Sequence, residues 1–387
     1  MFNFLKRITP RFIKRSIWNE WTMDILFYFQ TLHIFRDRKF KPFTKLSIPE
    51  DKDLALIFFV GIGDAIFGMP AFNEIKNKLH KKNLKLHAYV DMHKSHLSNP
   101  AVYELLKDSN IFDSVNYFTG SRFVYWKYYN WTSIANDPNK KFLPFLYQTK
   151  SSVNDRVDEI FRQYNLCKQR ISWPIFSAVE SRFYKDILKL LSNKHRTLFM
   201  HLETRSGEYN YPFINDVLDR LLDKRLEKIF NIVLFTSDPK KINFTNSGVL
   251  KISSKFTGKL KIIELKSKAK ILILNPQEMP LVDQMLLIKN KADLILAINS
   301  YLWAIGRMYD KELVGIHYLD SPDGHQFAYK NSFIFTPSKI TYKKTKNSFL
   351  ASENYHFTRL KFNPLIVEFN PDAILQALHF SQKFGRL

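Results

Sequence analysis

The stretch 54–79, LALIFFVGIGDAIFGMPAFNEIKNKL, decides the fold class. It begins with a continuous apolar run, Leu54–Val60, which is typical of a strand buried on both faces of a parallel sheet. The glycine turn 61–64 (GIGD) follows, and a helical pattern continues to about Leu79. A buried strand, a turn and a helix form the first half of a βαβ unit, so the sequence predicts an α/β protein.

The same alternation of apolar runs and helical segments occurs twice along the chain, which predicts a two-lobed α/β protein with parallel sheets. Residues 119–155 are aromatic and turn-rich, and we interpret them as a long functional loop. The predicted divisions are a basic-aromatic N-terminal helical extension (1–50), a first Rossmann-like lobe (51–190), a second Rossmann-like lobe (191–345) and a C-terminal segment (346–387) that forms a helix packed back on the first lobe.

The charge balance predicts an anionic partner. The 387 residues include 59 Lys and Arg against 36 Asp and Glu, which gives a net charge of +23. Because 45% of the residues are hydrophobic, the chain is too apolar for a disordered basic tail and must bury a core. The partner could be nucleic acid, anionic lipid or a phosphorylated substrate. The single cysteine excludes an intrachain disulfide framework and fits a reducing compartment.

The sequence predicts no transmembrane helix. The longest apolar stretch, Leu54–Ile62, is at most half of the roughly 18–20 residues that a membrane span requires. Residues 1–45 interleave cations with bulky apolar side chains, a pattern of helices that lie in a membrane interface. A helix packed on its own domain is the alternative. We expect a cytoplasmic protein, with peripheral attachment to the inner face of the cytoplasmic membrane through residues 1–45 as the membrane hypothesis.

Asp64 is the first candidate for chemistry because it follows the first strand, where open α/β sheets bind their ligands. Gly61 and Gly63 let the backbone approach a ligand, and the helix start offers N–H groups to an anion. Asp64 also has a structural explanation, since aspartate is a favoured N-cap residue. The next glycine, Gly68, comes too late for a dinucleotide fingerprint, so a nicotinamide or flavin site is a minor alternative.

The stretch 56–79 resembles the opening of the heptosyltransferase-type glycosyltransferases, family nine of the glycosyltransferases. That opening is a strand, a short Gly-Asp turn, apolar residues, a Pro-Ala pair and a helix. This chain has Gly63-Asp64 and Pro70-Ala71 at matching spacing. The resemblance implies that Asp64 is a general base, which deprotonates an acceptor hydroxyl for in-line attack on the anomeric carbon of the donor sugar.

A second segment, 198–211 (LFMHLETRSGEYNY), is similar to the strand and polar turn that open the family's second lobe. The resemblance implies that Thr204 and Arg205 bind the donor, and a guanidinium is suited to diphosphate oxygens. Glu208 stands near the position where the family has a lysine. Glu203 and Glu208 are candidates for assisting the departing phosphate, or are exposed acids at a helix start.

A third segment, 292–322, resembles the family's donor-binding motif, with its chemistry partly changed. Ser300 matches the motif, whereas Asn299 replaces an aspartate, Tyr301 a glycine and Ala304 a histidine. Asparagine and serine at a helix start can bind phosphate or ribose hydroxyls. Tyr301 would either stack on a base or fill the space that the glycine leaves open.

The resemblance implies a GT-B fold, in which two Rossmann-like lobes face a cleft. It also implies an inverting, metal-independent enzyme without a cofactor, which moves heptose or a hexose-like sugar from a nucleotide-diphosphate sugar to an anionic cell-surface glycan, glycolipid or lipopolysaccharide-type acceptor. The implied donor-binding residues are Gly61, Gly63, Thr204, Arg205, Asn299, Ser300 and Tyr301, and the candidate acceptor or phosphate contacts are Glu203, Glu208 and Asp320.

Three alternatives stay open at this point. Asn299 and Ala304 favour a catalytically inactive binding protein that kept the fold. A nicotinamide-binding enzyme and a nucleic-acid binder are less favoured, and the absence of zinc-finger spacing or an RNP motif predicts no specific nucleic acid. His93 and His96 have metal-ligand spacing but lack the adjacent acid of a His-Glu type site, so no metal site is predicted.

Overall fold

The computed structural model of the protein describes the following residues: 47–58, 61–91, 100–118, 137–145, 155–167, 171–176, 181–191, 194–203, 214–223, 230–243, 251–256, 260–298, 300–316, 329, 331–335, 342–344, 362–364, 375 and 378. Most of the predicted N-terminal extension, residues 1–46, lies outside them. Among the helices that the structure describes, none is long and apolar enough to cross a membrane.

The first lobe contains a parallel sheet whose described strands are arranged in the order β3-β2-β1-β4. Every residue of β1 after the first is buried, as its continuous apolar sequence predicts. The elements of this lobe are β1 (Asp53–Phe58), α1 (Ile62–His80), β2 (Leu86–Asp91), α2 (Pro100–Asp108), β3 (Ser114–Phe118) and β4 (Lys140–Phe145).

Strand β4 corrects one prediction. It lies within residues 119–155, which we interpreted as a loop, and it pairs in parallel with β1 from Asp53 to Phe58. Its sequence, KKFLPF, carries two lysines and a proline, which are depleted in strands. Pairing with the buried strand β1 therefore outweighs the weak strand propensity of this segment.

An aromatic cluster holds α1 against the first sheet. The rings of Phe58, Phe72 and Phe145 lie with centroids 4.9–5.4 Å apart, in edge-to-face or tilted arrangements. Gly68 makes room for them, since a Cβ placed there would be 2.3 Å from the tip of the Phe72 ring. The glycine that came too late for a dinucleotide fingerprint is thus required for packing.

Two helices follow the first sheet and precede β5: α3 (Arg156–Gln163) and α4 (Arg182–Leu190). Helix α4 is fixed to the second lobe, where the backbone N–H of Ser181 donates to Asp283 Oδ2 at 2.8 Å. Asn290 Nδ2 donates to the hydroxyl of Tyr184 at 3.0 Å. Helix α3 packs on α1 of the first lobe.

The described strands of the second lobe form an eight-stranded sheet, in the order β12-β11-β10-β5-β6-β9-β8-β7. The strands from β12 to β9 are parallel, and β8 and β7 extend that edge in antiparallel fashion. The elements are β5 (Arg196–His201), α5 (Ile214–Asp223), β6 (Phe230–Phe235), β7 (Lys251–Phe256), β8 (Leu260–Leu265), β9 (Lys270–Leu274), α6 (Leu281–Lys291), β10 (Leu294–Ile298), α7 (Tyr301–Met308), β11 (Glu312–Ile316) and β12 (Ser332–Phe335).

The strand order determines where a ligand can bind. Numbered by their order along the chain, the six parallel strands of the second sheet run 3-2-1-4-5-6, with the order reversing between β5 and β10. The first sheet shows the same start, 3-2-1-4, and reverses between β1 and β4. The crevice beyond the carboxyl ends of the strands at such a reversal is the ligand site of doubly wound sheets. The predicted fold class is confirmed.

The C-terminal segment differs from its prediction where it is described. Strands β13 (Tyr342–Lys344) and β14 (Phe362–Pro364) pair with each other in antiparallel fashion. Leu375 and Leu378 are helical and buried, and they join a core cluster built from the second lobe rather than the first. The domain boundaries as such stay a prediction.

Candidate functional site

The structure places three of the predicted segments at the carboxyl ends of strands. Gly61, Gly63 and Asp64 follow β1, Glu203 follows β5, and Ser300 and Tyr301 follow β10. The remaining predicted site residues lie outside the described residues: Thr204, Arg205, Glu208, Asn299 and Asp320.

Asp64 lies in the first turn of α1, but it is not the N-cap. Gly61 occupies that position in extended conformation, and no side chain caps the helix there. The structural explanation of Asp64 as a cap is therefore wrong. A carboxylate in the first turn is still stabilised by the helix dipole. A Cβ placed at Gly61 would meet nothing within 4 Å, so this glycine borders open space.

The Asp64 carboxylate forms an ion pair with Arg156. Arg156 Nη2 donates to Asp64 Oδ1 at 2.7 Å. The arginine side chain is 10% exposed, whereas the aspartate side chain is 32% exposed. No described residue hydrogen-bonds to Asp64 Oδ2. One oxygen of the carboxylate is thus held from inside the protein, and the other remains available to an incoming group.

A second ion pair lies directly beside the first and joins the two lobes. Asp155 caps α3, since its Oδ1 accepts hydrogen bonds from the N–H groups of Val157 and Asp158 at 2.9 and 3.2 Å. Its Oδ2 accepts from Arg307 Nη2 at 2.5 Å, and the Arg307 side chain is 8% exposed. Arg307 belongs to α7, the helix that begins at the predicted donor turn.

Ser300 is the N-cap of α7. Its Oγ accepts a weak hydrogen bond from the N–H of Leu302 at 3.3 Å, and its carbonyl accepts from the N–H of Trp303 at 3.1 Å. A serine that caps its own helix satisfies one of the orphan N–H groups that a phosphate would otherwise bind. Part of the anion-binding capacity predicted for this turn is therefore already used.

Tyr301 fills the space that the family's glycine would leave open. Its hydroxyl donates to Gln284 Oε1 at 2.7 Å, and Gln284 Nε2 in turn donates to the carbonyls of Pro276 and Met279. The Tyr301 ring meets the His201 ring edge to face, with centroids 5.4 Å apart. Of the two roles considered for Tyr301, filling matches this geometry, because a ring anchored inward is not free to stack on a base.

His201 is a buried titratable group beside Tyr301. It is the last residue of β5, it is buried, and its Nδ1 has no hydrogen-bond partner among the described residues. Burial lowers the pKa of His201 to about 4. Burial likewise raises the pKa of the Tyr301 hydroxyl. Both groups are therefore neutral near pH 7.

The two predicted turns are in contact. A Cβ placed on Gly63 would lie 3.5 Å from the Cα of Tyr301, so the backbones of the two turns almost touch. Helix α7 packs on α1 behind this contact, and the Arg307 guanidinium lies 5.9 Å from the centre of the Phe67 ring. The carboxyl edges of both sheets thus meet at one place.

Two solved structures share this architecture. The E. coli ADP-heptose LPS heptosyltransferase II aligns with a TM-score of 0.51 at 11% identity, over 85% of this chain and 98% of that protein. The chain has the heptosyltransferase fold. A glycosyl transferase of family nine from Veillonella parvula aligns with a TM-score of 0.50 at 8% identity, over 86% of this chain and 99% of the other. No protein-family model matches the sequence, and no curated protein matches it.

The resemblance stated from three short segments is confirmed at the level of the heptosyltransferase fold. The described site residues fall where a doubly wound fold binds ligands. The roles assigned to individual residues stay predictions. In the described part of the chain, no group of three or more His, Cys, Asp or Glu could hold a metal ion.

Glu203 lies in the turn after β5, and its carboxylate is bound within the protein. Its two carboxylate oxygens accept hydrogen bonds from the Thr236 hydroxyl and the Ser237 N–H, both at 2.7 Å. These partners lie at the end of β6, so Glu203 joins the carboxyl ends of two neighbouring strands of the heptosyltransferase fold. Both oxygens are already engaged, and this weakens the hypothesis that Glu203 assists a departing phosphate.

Sequence reasoning missed Asp155, Arg156 and Arg307 as functional candidates. Asp155 precedes a helical pattern, so its role as a helix start was predictable. Its second bond, to Arg307, was not, since the two residues are 152 positions apart in the sequence. Asp64 and Arg156 are likewise 92 positions apart. No local pattern signals such pairs.

Proposed function

We propose that the protein is an inverting, metal-independent glycosyltransferase with Asp64 as its general base. The observation that carries the proposal is the Asp64 carboxylate itself, which stands at the carboxyl edge of the first sheet with one oxygen held by Arg156 and the other available. A general base must come within hydrogen-bond reach of the proton that it removes, and the Asp64 side chain is 32% exposed.

The proposed reaction is a single displacement. Asp64 Oδ2 accepts the proton of an acceptor hydroxyl while that oxygen attacks the anomeric carbon of the donor sugar. The bond between the anomeric carbon and the diphosphate oxygen breaks, and its electron pair leaves with the nucleoside diphosphate. Because attack and departure occur on opposite faces, the anomeric configuration inverts. The leaving diphosphate would face Arg205 and the turn formed by Asn299 and Ser300.

ADP-heptose is the first donor to test, because the similar E. coli protein is an ADP-heptose LPS heptosyltransferase. Other donors are tested beside it because Tyr301, whose hydroxyl is bound to Gln284, stands where the family has a glycine. A panel of ADP-, UDP-, GDP- and CMP-sugars is screened by thermal shift, since a ligand that binds the folded state stabilises it by mass action. The same panel is assayed for nucleoside diphosphate release with a lipopolysaccharide-core acceptor.

The expected result is a rise in melting temperature with one nucleotide sugar, and release of its nucleoside diphosphate only when acceptor is present. A second function is favoured by the occupied donor turn, namely a binding protein without transferase activity. Binding of a nucleotide sugar without any transfer would support that second function. If no nucleotide sugar either binds or turns over, the glycosyltransferase proposal fails.

We further propose that the acceptor is anionic and is met at the inner face of the cytoplasmic membrane. The net charge of +23 and the cations of residues 1–45 support this proposal. Co-sedimentation with vesicles tests it, comparing phosphatidylglycerol-containing vesicles with pure phosphatidylcholine. We expect binding to the anionic vesicles that weakens as salt is raised. Equal binding to both kinds of vesicle, or to neither, contradicts the membrane proposal.

A further inference from the structure

We propose that Arg156 is a positioning residue for the general base, and that the Asp155–Arg307 ion pair fixes it to the second lobe. The proposal rests on the proposed function, because it assigns a role toward Asp64 in the transfer reaction. Arg156 itself is not assigned a contact with substrate. It acts through Asp64 Oδ1, to which its Nη2 donates at 2.7 Å.

The contact with Arg156 orients the Asp64 carboxylate and leaves its second oxygen for a substrate. A charge-assisted hydrogen bond of this length is among the stronger polar contacts in proteins. It engages one oxygen, and the arginine side chain approaches from the buried side, while the aspartate side chain is one-third exposed. Fixing Oδ1 restricts rotation about the last side-chain torsion of Asp64. Oδ2 is then held toward the side from which an acceptor hydroxyl must arrive.

The backbone that carries Arg156 is itself fixed. Arg156 is the first residue of α3, directly after the cap Asp155. One Asp155 oxygen accepts from the helix N–H groups, and the other accepts from Arg307 of the second lobe. The position of Arg156 therefore depends on a residue that supports the helix start and binds the other lobe at the same time.

These contacts form a closed circuit that begins and ends on α1. Asp64 binds Arg156, the adjacent Asp155 binds Arg307, and the Arg307 guanidinium lies over Phe67, one turn after Asp64. Helix α7, which carries Arg307, starts at Ser300 in the predicted donor turn. A shift of the donor turn would thus be transmitted through α7 to the orientation of the base.

The charges of the circuit balance, which supports a positioning role. Two aspartates face two arginines whose side chains are both about nine-tenths buried. Buried charges must be paired, and removal of one partner leaves the other uncompensated. Arg156 Nη2 is engaged by Asp64, which favours a role of Arg156 toward the base.

The decisive experiment is a double-mutant cycle with Arg156→Gln and Asp64→Asn. For each variant, kcat and KM are measured with ADP-heptose. If another nucleotide sugar of the panel has a higher turnover, that sugar is used instead. We expect Arg156→Gln to lower kcat about 100-fold, the order of loss that a misplacement of about 1 Å produces, with KM for both substrates little changed. In the Asp64→Asn background the same change should have almost no further effect on kcat, because residues that act as a unit are non-additive.

Two further variants separate positioning from folding. Asp155→Asn keeps an equally good N-cap but removes the charge that binds Arg307. The buried Arg307 is then left without its partner, so the melting temperature should fall, and kcat measured well below that temperature should fall about tenfold. Arg162→Ala removes an exposed arginine from the end of the same helix and is the matched control, with kcat unchanged. Where Arg156→Gln does not fold, Arg156→Lys takes its place with an expected fall of about tenfold, since lysine lacks the planar fork of arginine.

Three outcomes would overturn the inference while the proposed function stands. One is an active Arg156→Gln variant with kcat within twofold of the wild type. Another is a raised KM for the acceptor with unchanged kcat, which makes Arg156 a substrate-binding residue. The third is full additivity of the two substitutions. If the wild-type protein itself shows no transfer, the proposed function fails and the inference fails with it.

Discussion

The two turns that meet between the lobes differ in how much of their polar surface is already used. In the first lobe, Asp64 has one oxygen bound to Arg156 and the other open. In the second lobe, the Ser300 hydroxyl caps its own helix, and the Tyr301 hydroxyl is bound to Gln284. One turn is prepared for an incoming group, whereas the other is largely satisfied by the protein itself.

This difference places the proposed base and the altered donor motif on opposite sides of the site. The proposed base lies in the first turn, where the family pattern of Gly63-Asp64 is kept. The proposed donor site lies at the second turn, where that pattern is altered. Ala304, the other departure from the donor motif, is fully buried in α7.

Asp64→Asn is expected to have the largest effect, because it removes the carboxylate that distinguishes the first turn from the second. The amide keeps an oxygen for Arg156 but cannot accept a proton, so kcat should fall about 10²–10⁴-fold, the range that a general base contributes. Assays of sugar transfer measure kcat, and thermal unfolding checks that the fold is kept. Glu74→Gln, on the same helix about 15 Å away at 1.5 Å per residue, is the matched control with unchanged kcat. An Asp64→Asn variant as active as the wild type would remove the distinction between the turns.

His201, which lies in the second lobe, should make the free energy of unfolding depend on pH. Its pKa is about 4 in the folded protein, against 6.5 for the free side chain. Between these values the unfolded chain binds a proton that the folded protein does not, so stability falls as pH drops from about 6.5 to 4. The loss approaches about 3 kcal/mol. Urea unfolding across this pH range should show a shallower dependence for His201→Gln than for the wild type, and equal slopes would contradict the burial of a neutral imidazole.

Tyr301→Phe tests whether the tyrosine is an internal group. The substitution leaves Gln284 Oε1 without its donor in a buried place, which should lower the free energy of unfolding by about 1–3 kcal/mol. Donor affinity, measured by thermal shift with the nucleotide sugar that binds best, should stay unchanged. A large change in donor affinity at unchanged stability would instead show that the hydroxyl faces the ligand.

Ser300→Ala should have the smallest effect. It also tests whether the polar groups of the second turn are bound within the protein. Loss of the cap is expected to lower stability by about 1 kcal/mol. Ser181→Ala removes the equivalent cap of α4, where the Ser181 hydroxyl accepts from the Tyr184 N–H, and serves as the control. If the Ser300 hydroxyl only caps its helix, both variants lose similar stability and neither changes donor affinity. A selective loss of donor affinity in Ser300→Ala would return Ser300 to the donor site.

The sequence predicted those parts of the fold whose signal is local. Strand β1 was predicted from the apolar run Leu54–Val60 and is observed at Asp53–Phe58, because a continuous apolar run is typical of a buried strand. Helix α1 was predicted to within a residue or two. Strands β7 and β8 were missed, since their lysines and serines depart from a buried pattern. They form because β9 offers an unpaired edge, which is a property of the folded sheet.

In the candidate site, too, local signals could be predicted and contacts between distant residues could not. Gly63, Asp64, Ser300 and Tyr301 could be found because they follow buried strands at turns. Their partners could not. The contacts of Asp64 with Arg156, of Asp155 with Arg307 and of Tyr301 with Gln284 depend on which helices lie side by side, and no spacing along the chain encodes that.

The link between Asp155 and Arg307 also has a meaning for biosynthesis. The described strands of the first sheet end at residue 145, so that lobe can begin to fold while the ribosome is still making the second. Arg307 is translated much later, and only then can α7 dock on α1 and bind Asp155. The nascent first lobe would carry Asp64 before Arg307 exists to fix the helix start that supports it. The proposed transfer activity would therefore be the last property that the growing chain acquires.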